Sequence, residues 1–72
     1  MSDASTTAAT VRAEMARRRV PQIKLAQHLG LSQTAISRRM SGETDFTVTE
    51  LQAVAALLDV PAGDLLGAAS AA

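Results

Sequence analysis

Apolar positions along the chain fall into short stripes separated by turn residues, and the spacing within each stripe is helical. Between Thr7 and Arg19, Ala8, Val11 and Met15 recur every three or four residues opposite Arg12, Arg17 and Arg18, which predicts a first helix over 7–19. Its beginning is loosely defined, and the small polar residues 1–5 are expected to form a disordered N-terminal tip. Its end is better marked. Pro21 steers Val20 away from helical geometry and has no amide hydrogen with which to continue a ladder.

Pro21 suits the start of a second, short helix whose buried face is expected to carry Ile23, Leu25, Ala26 and Leu29, with Gly30 closing it. Leu31 follows as an apolar plug, and Ser32 is an N-cap whose hydroxyl can accept from the free amides of the next turn. That places a third helix over Gln33–Met40. Ile36 and Met40, four apart, form its apolar ridge, while Gln33, Thr34, Ser37 and Arg38 fall on the other side. Ser41 to Asp45, small and polar around Gly42, reads as a loop.

The next helix start has the strongest local signature. Thr47 and Glu50 form a T-x-x-E capping box, and Phe46 and Leu51 have the spacing of a hydrophobic staple. Leu51, Val54, Ala55 and Leu58 continue the stripe, so a fourth helix runs to about Leu58. Asp59 to Pro61 turn the chain, residues 62–66 are expected to make a brief fifth helix closed by Gly67, and 68–72 to form a flexible tail. The expectation is an all-α, compact five-helix bundle with a single domain over 6–67.

Composition narrows the functional classes. The chain has 72 residues, 47% hydrophobic but only 1% aromatic, so its core must come from aliphatic side chains and Met, which suits close-packed helices. With no Cys and one His, His28, it has neither disulfides nor the ligands for a zinc site, and no cofactor or metal is expected. No nucleophile, base and orienting group occur as a set, so an enzyme is not expected either. No apolar run reaches the roughly 18 residues that span a bilayer, and the first ten residues lack a signal layout; a cytoplasmic protein without a membrane partner is expected. The Ala-rich end also leads us to expect a longer native product.

Charge changes the picture more than its total suggests. Seven basic and seven acidic residues cancel. Yet all the bases, Arg12, Arg17, Arg18, Arg19, Lys24, Arg38 and Arg39, lie between positions 12 and 39, where Glu14 is the only acid. From Met40 onward there are five acids and no base. Such asymmetry fits either a phosphate-facing half or ordinary solvated faces, and a motif has to decide between them.

Gly30, Leu31 and Ser32 alone join the second and third helices, so those helices must cross steeply. Gly30 supplies the backbone freedom, and Ala26 lets the third helix approach closely. Leu25, Leu29, Leu31 and Ile36 are expected to seal the joint. With these residues in view, Gln22 to Gly42, QIKLAQHLGLSQTAISRRMSG, resembles the helix-turn-helix of the lambda-repressor-like, Cro-type family. Glu50 to Leu66 resembles the family's fourth and fifth helices, so the similarity covers roughly Val11 to Leu66. Two positions depart from the pattern. Arg39 stands where the family often has an apolar residue, shifting packing to Met40, and Arg19 stands where a Gly commonly ends the first helix.

The resemblance implies a five-helix fold that binds operator DNA and has no catalytic role or cofactor. It places Gln33, Thr34, Ser37 and Arg38 toward base edges in the major groove. Their chemistry is suitable: Gln pairs bidentately with adenine, Thr offers a methyl to thymine, and Arg forks onto guanine. Arg38 could hold a phosphate instead. Gln22 and Ser32 resemble phosphate-contact positions, where helix amides favour an anion. Arg39, Ser41 and Thr44 are placed to grip the opposite strand's backbone, a solvated loop being the alternative for the last two. Lys24 and Arg17 to Arg19 either add diffuse attraction or are ordinary surface charge.

Two functional classes therefore compete. One is a sequence-specific regulator of double-stranded DNA, a phage or bacterial repressor, acting as a monomer or as a symmetric homodimer on paired half-sites. The other is a helical protein-interaction module, antitoxin-like or an adaptor, engaging a partner through exposed Leu57, Leu65 and Leu66. The clustered bases favour the first. No small-molecule ligand is expected in either case.

Overall fold

A computed structural model describes residues 3–65 of the chain, with side-chain surroundings from residue 6 onward. The expected closure at Gly67, the side chain of Leu66 and the tail over 68–72 lie outside the described residues. Within them the chain is all-helical: α1 (Asp3–Arg18), α2 (Gln22–Leu29), α3 (Gln33–Met40), α4 (Val48–Leu58) and a last helical turn over 62–65, α5. Among the described residues there is no strand.

α1 starts earlier than the expected first helix and takes in part of the 1–5 tip. Ala8, the first residue of the expected apolar stripe, is buried, and so is Thr7 beside it. Ala8 and Ala9 then carry little propensity cost for extending the helix. No buried side-chain nitrogen or oxygen among the described residues lacks a partner.

Three helix ends close in the same way. At α1, the Val20 amide donates to the Met15 carbonyl (2.9 Å) and the Arg19 amide to the Ala16 carbonyl (3.2 Å). At α2, Leu31 donates to Ala26 (2.9 Å) and Gly30 to Gln27 (3.3 Å); at α4, Val60 donates to Ala55 (3.0 Å) and Asp59 to Ala56 (3.4 Å). Each is a Schellman motif, which requires a left-handed residue at its corner. Gly30 meets that requirement without strain at φ 68°, whereas Arg19 and Asp59 both sit at φ 57° with a Cβ to accommodate. The apolar residue after each corner, Val20, Leu31 or Val60, folds back onto the core.

The core joins Val11 and Met15 of α1, Leu25 and Ala26 of α2, Ile36 and Met40 of α3, and Leu51, Val54, Ala55 and Leu58 of α4 with Leu65. α3 packs on α1 and α2, and α4 packs on the same two helices, while the backbones of α3 and α4 do not pack on one another directly. Phe46 lies against the core beside the α4 start, as a staple requires.

Two expectations about apolar residues need correction. Ile23, placed on the buried face of α2, is 49% exposed, because the core side of this two-turn helix is already filled by Leu25 and Ala26. Leu65, offered as an exposed contact residue, is 0% exposed, because the Pro61 turn folds it back under α4 into the core. Leu57 is half-buried.

Candidate nucleic-acid interface

The site grows out of the corner between α2 and α3. Gly30 reverses the chain, Leu31 packs under the turn, and Ser32, in extended geometry, caps α3 by accepting the Ala35 amide at its Oγ (3.1 Å). Ile36 and Met40 are buried and fix the inner side of α3. Gln33, Thr34, Ser37 and Arg38 are all exposed on the opposite side. The eight residues of α3 are about 12 Å long at 1.5 Å per residue, and a B-DNA major groove about 12 Å wide admits a helix of this kind.

The amino ends of α2 and α3 have the electrostatic character that an anion favours. Pro21 gives α2 no side-chain cap, neither helix has an acid in its first turn, and Gln22 and Ser32 are exposed at these ends. α4 is the contrast. Its first turn is closed on itself by Thr47 and Glu50, the Thr47 Oγ1 accepting the Glu50 amide (3.0 Å) and a Glu50 carboxylate oxygen accepting the Thr47 amide (2.9 Å).

The carboxyl end of α3 is held on several sides. The Arg38 carbonyl accepts from the Ser41 hydroxyl (3.0 Å) and from the Thr44 amide (3.1 Å), and the Arg39 carbonyl accepts from the Gly42 amide (3.2 Å). Arg12 reaches across from α1 and donates a guanidinium hydrogen to the Met40 carbonyl. Ser41 and Thr44, named from the sequence as backbone contacts, thus order the loop after α3; Ser41 is exposed and Thr44 half-buried.

Arg39 makes contacts that its sequence position did not announce. Its Nε donates to Glu50 Oε1 at 3.0 Å, the same oxygen that accepts the Thr47 amide, and its Nη1 donates to the Ala35 carbonyl at 3.2 Å. The two side chains of this ion pair are only 17% and 18% exposed. Arg39 is therefore paired with α4 in the free protein, and the phosphate contact expected of it would require this pair to open. Burial pushes the Glu50 carboxyl up, but hydrogen bonds from Arg39 and Thr47 and the Arg39 charge outweigh it and hold the group below its ordinary value.

Sequence reasoning missed this pair and the Arg12 clamp. A signal for the pair was present: Arg39 lies three residues after Ile36 and four after Ala35, on the flank next to the buried ridge rather than on the Gln33 side. The remaining bases divide cleanly. Arg17 and Arg18 both pair with Glu14. Arg19, Lys24 and Arg38 are exposed and form no ion pair among the described residues.

A short-cornered helix pair with a polar, outward second helix defines a helix-turn-helix DNA-binding domain. The helix-turn-helix family model matches residues 11–65, well over half of the chain, and the protein belongs to this family, of the XRE or lambda-repressor-like kind. It is a DNA-binding helix-turn-helix regulator, and the family is regulatory and generally non-enzymatic. A comparison with curated proteins found no match. Among the described residues no helix is long and apolar enough to cross a membrane, and no group of three potential metal ligands occurs.

Proposed function

We propose that the protein is a repressor of phage or bacterial type that reads a specific operator in double-stranded DNA by laying α3 in the major groove. Gln33, Thr34, Ser37 and Arg38 make the base contacts. Gln22 and Ser32, at the amino ends of α2 and α3, neither of which carries an acid in its first turn, bind phosphates, with Ser41 and Thr44 flanking the opposite strand. Lys24, Arg19 and, in its alternative role, Arg38 supply the long-range attraction.

One observation carries this reading: four neighbouring side chains with base-pairing chemistry are all exposed on α3, while its other side is locked into the core. The competing reading as a protein-interaction module drew on an exposed Leu65, and that side chain is buried. Selection of bound sites from a random duplex pool at two salt concentrations tests the proposal. The expected result is an enriched motif whose affinity falls steeply with salt, since released counterions drive the phosphate contribution. Two-fold symmetry in the motif would identify a homodimer and an asymmetric motif a monomer. Enrichment of no motif at either salt concentration would overturn the reading.

A further inference from the structure

We infer that Glu50 is a positioning residue for DNA recognition, one that holds the Arg39 guanidinium on the α4 side of the recognition helix and keeps that cation off the phosphates. The inference rests on the DNA-binding reading of α3 and goes beyond it, since Glu50 lies on a helix with no expected DNA contact.

Three observations lead here. The α3 and α4 backbones do not pack directly on one another, so the Arg39–Glu50 pair is a polar link between two helices that otherwise share only core side chains. The acceptor is itself fixed, because Glu50 Oε1 also takes the Thr47 amide in the capping box and is thereby tied to the α4 backbone. The donor is fixed as well, its Nη1 resting on the Ala35 carbonyl one turn back in α3. Arg39 directly follows Arg38, which lies on the outward face of α3. A released Arg39, long and flexible, would come within reach of a nearby phosphate and add affinity for any sequence. Holding it trades that unspecific affinity for a fixed setting of the helix that reads bases, so the pair contributes to discrimination and not to bulk binding.

The test uses the whole chain with two probes, the duplex returned by site selection and a scrambled duplex of the same composition. Glu50→Gln keeps a capping-box acceptor for Thr47 but removes the charge that holds Arg39. It is expected to bind the scrambled duplex more tightly, to steepen the slope of log K against log salt by about 0.9, the increment for one added phosphate contact, and to lower discrimination several-fold. Arg39→Met keeps the stem and removes the cation. Its slope is expected to match the wild type while discrimination falls. In the double variant the steepening disappears, because it acts through Arg39. Thermal melts of each variant set a temperature at which all are folded, and Arg39→Met decides the matter alone if Glu50→Gln does not fold.

An Arg39→Met slope shallower by about 0.9 would place Arg39 on a phosphate and overturn the inference. So would a Glu50→Gln protein with unchanged slope and discrimination, or steepening that persists in the double variant. A wild type that does not distinguish the two duplexes would defeat the DNA-reading proposal itself, which is a separate outcome.

Discussion

Arg12 of α1 donates a guanidinium hydrogen to the carbonyl of Met40, the last residue of α3. The end of a helix leaves carbonyls without intrahelical partners and carries partial negative charge, so a cation at this point satisfies an acceptor and a dipole together. The contact joins the first helix to the far end of α3, 28 residues away in sequence. Arg12→Met retains most of the stem and loses the donor. A partly exposed charged hydrogen bond of this kind is worth about 1 kcal/mol, so the melting temperature should fall by about 4–8 °C in a domain of this size. An unchanged melt would show that Met40 is served equally well by water.

The three left-handed corners give predictions of opposite sign. Arg19 and Asp59 hold φ near 57° at a steric cost, and Gly tolerates that region freely. Arg19→Gly should stabilise the fold by about 1 kcal/mol, and Asp59→Gly by less, because Asp visits this region more readily than Arg. Gly30→Ala should destabilise by about 1 kcal/mol or somewhat more. An added Cβ at Gly30 meets nothing within 4 Å, so the cost there is backbone strain and not a clash. Thermal melts of the three variants check the ordering, and a stabilised Gly30→Ala would show that the corner is not held left-handed in solution.

These corners also show what was legible in the sequence. Helix boundaries set by Ser32, Gly30 and the Thr47 to Glu50 box were readable because each is a local chemical event within a few residues. The stripes that bury Val11, Met15, Leu25, Ile36 and Leu51 were readable because they repeat with the helical period. Ile23 and Leu65 were misplaced because a two-turn or one-turn helix has too few positions for periodicity to say which apolar residue the neighbouring helices cover. The pairing of Arg39 and the clamp made by Arg12 were not legible for a different reason. Their partners, Glu50 and Met40, are separated from them by 11 and 28 residues, and only the assembled bundle brings them together. The exposed face of α3 followed from the spacing of Ile36 and Met40, whereas the commitment of one of its arginines did not.

Glu50 makes stability depend on acid. Its carboxyl titrates below the ordinary glutamate range in the folded protein, so the folded state favours the ionised form more than the unfolded chain does. The stabilisation is fully present above the ordinary glutamate value and is lost as pH falls through the lower, folded value. Stability should therefore decline on acidification across that window, and Glu50→Gln should flatten the decline, since Gln cannot be protonated there. Denaturant midpoints measured over this range check the sign. Equal pH dependence in wild type and variant would mean that the Arg39 pairing contributes nothing to the titration.

On the proposed reading, base contact and electrostatic attraction separate most cleanly at Gln33 and Lys24. Gln33 is exposed in the first turn of α3, where an amide side chain can make two hydrogen bonds to one adenine. Gln33→Ala should relax the preference at a single position of the selected site at a cost of about 1–3 kcal/mol for the preferred base, with the salt slope unchanged. Lys24 is exposed beside the uncapped start of α2 and has no ion-pair partner among the described residues. Lys24→Ala should weaken all sequences alike and make the salt slope shallower, by at most about 0.9, the increment for one full phosphate contact. Arg17→Ala should do less, because Arg17 is held in an ion pair with Glu14 and is less available to a phosphate than the unpaired Lys24. Binding isotherms for the selected and scrambled duplexes at several salt concentrations measure all three. If Gln33→Ala weakened every sequence equally while Lys24→Ala altered base preference, the two faces would have to be exchanged, and α2 rather than α3 would be the helix that enters the groove.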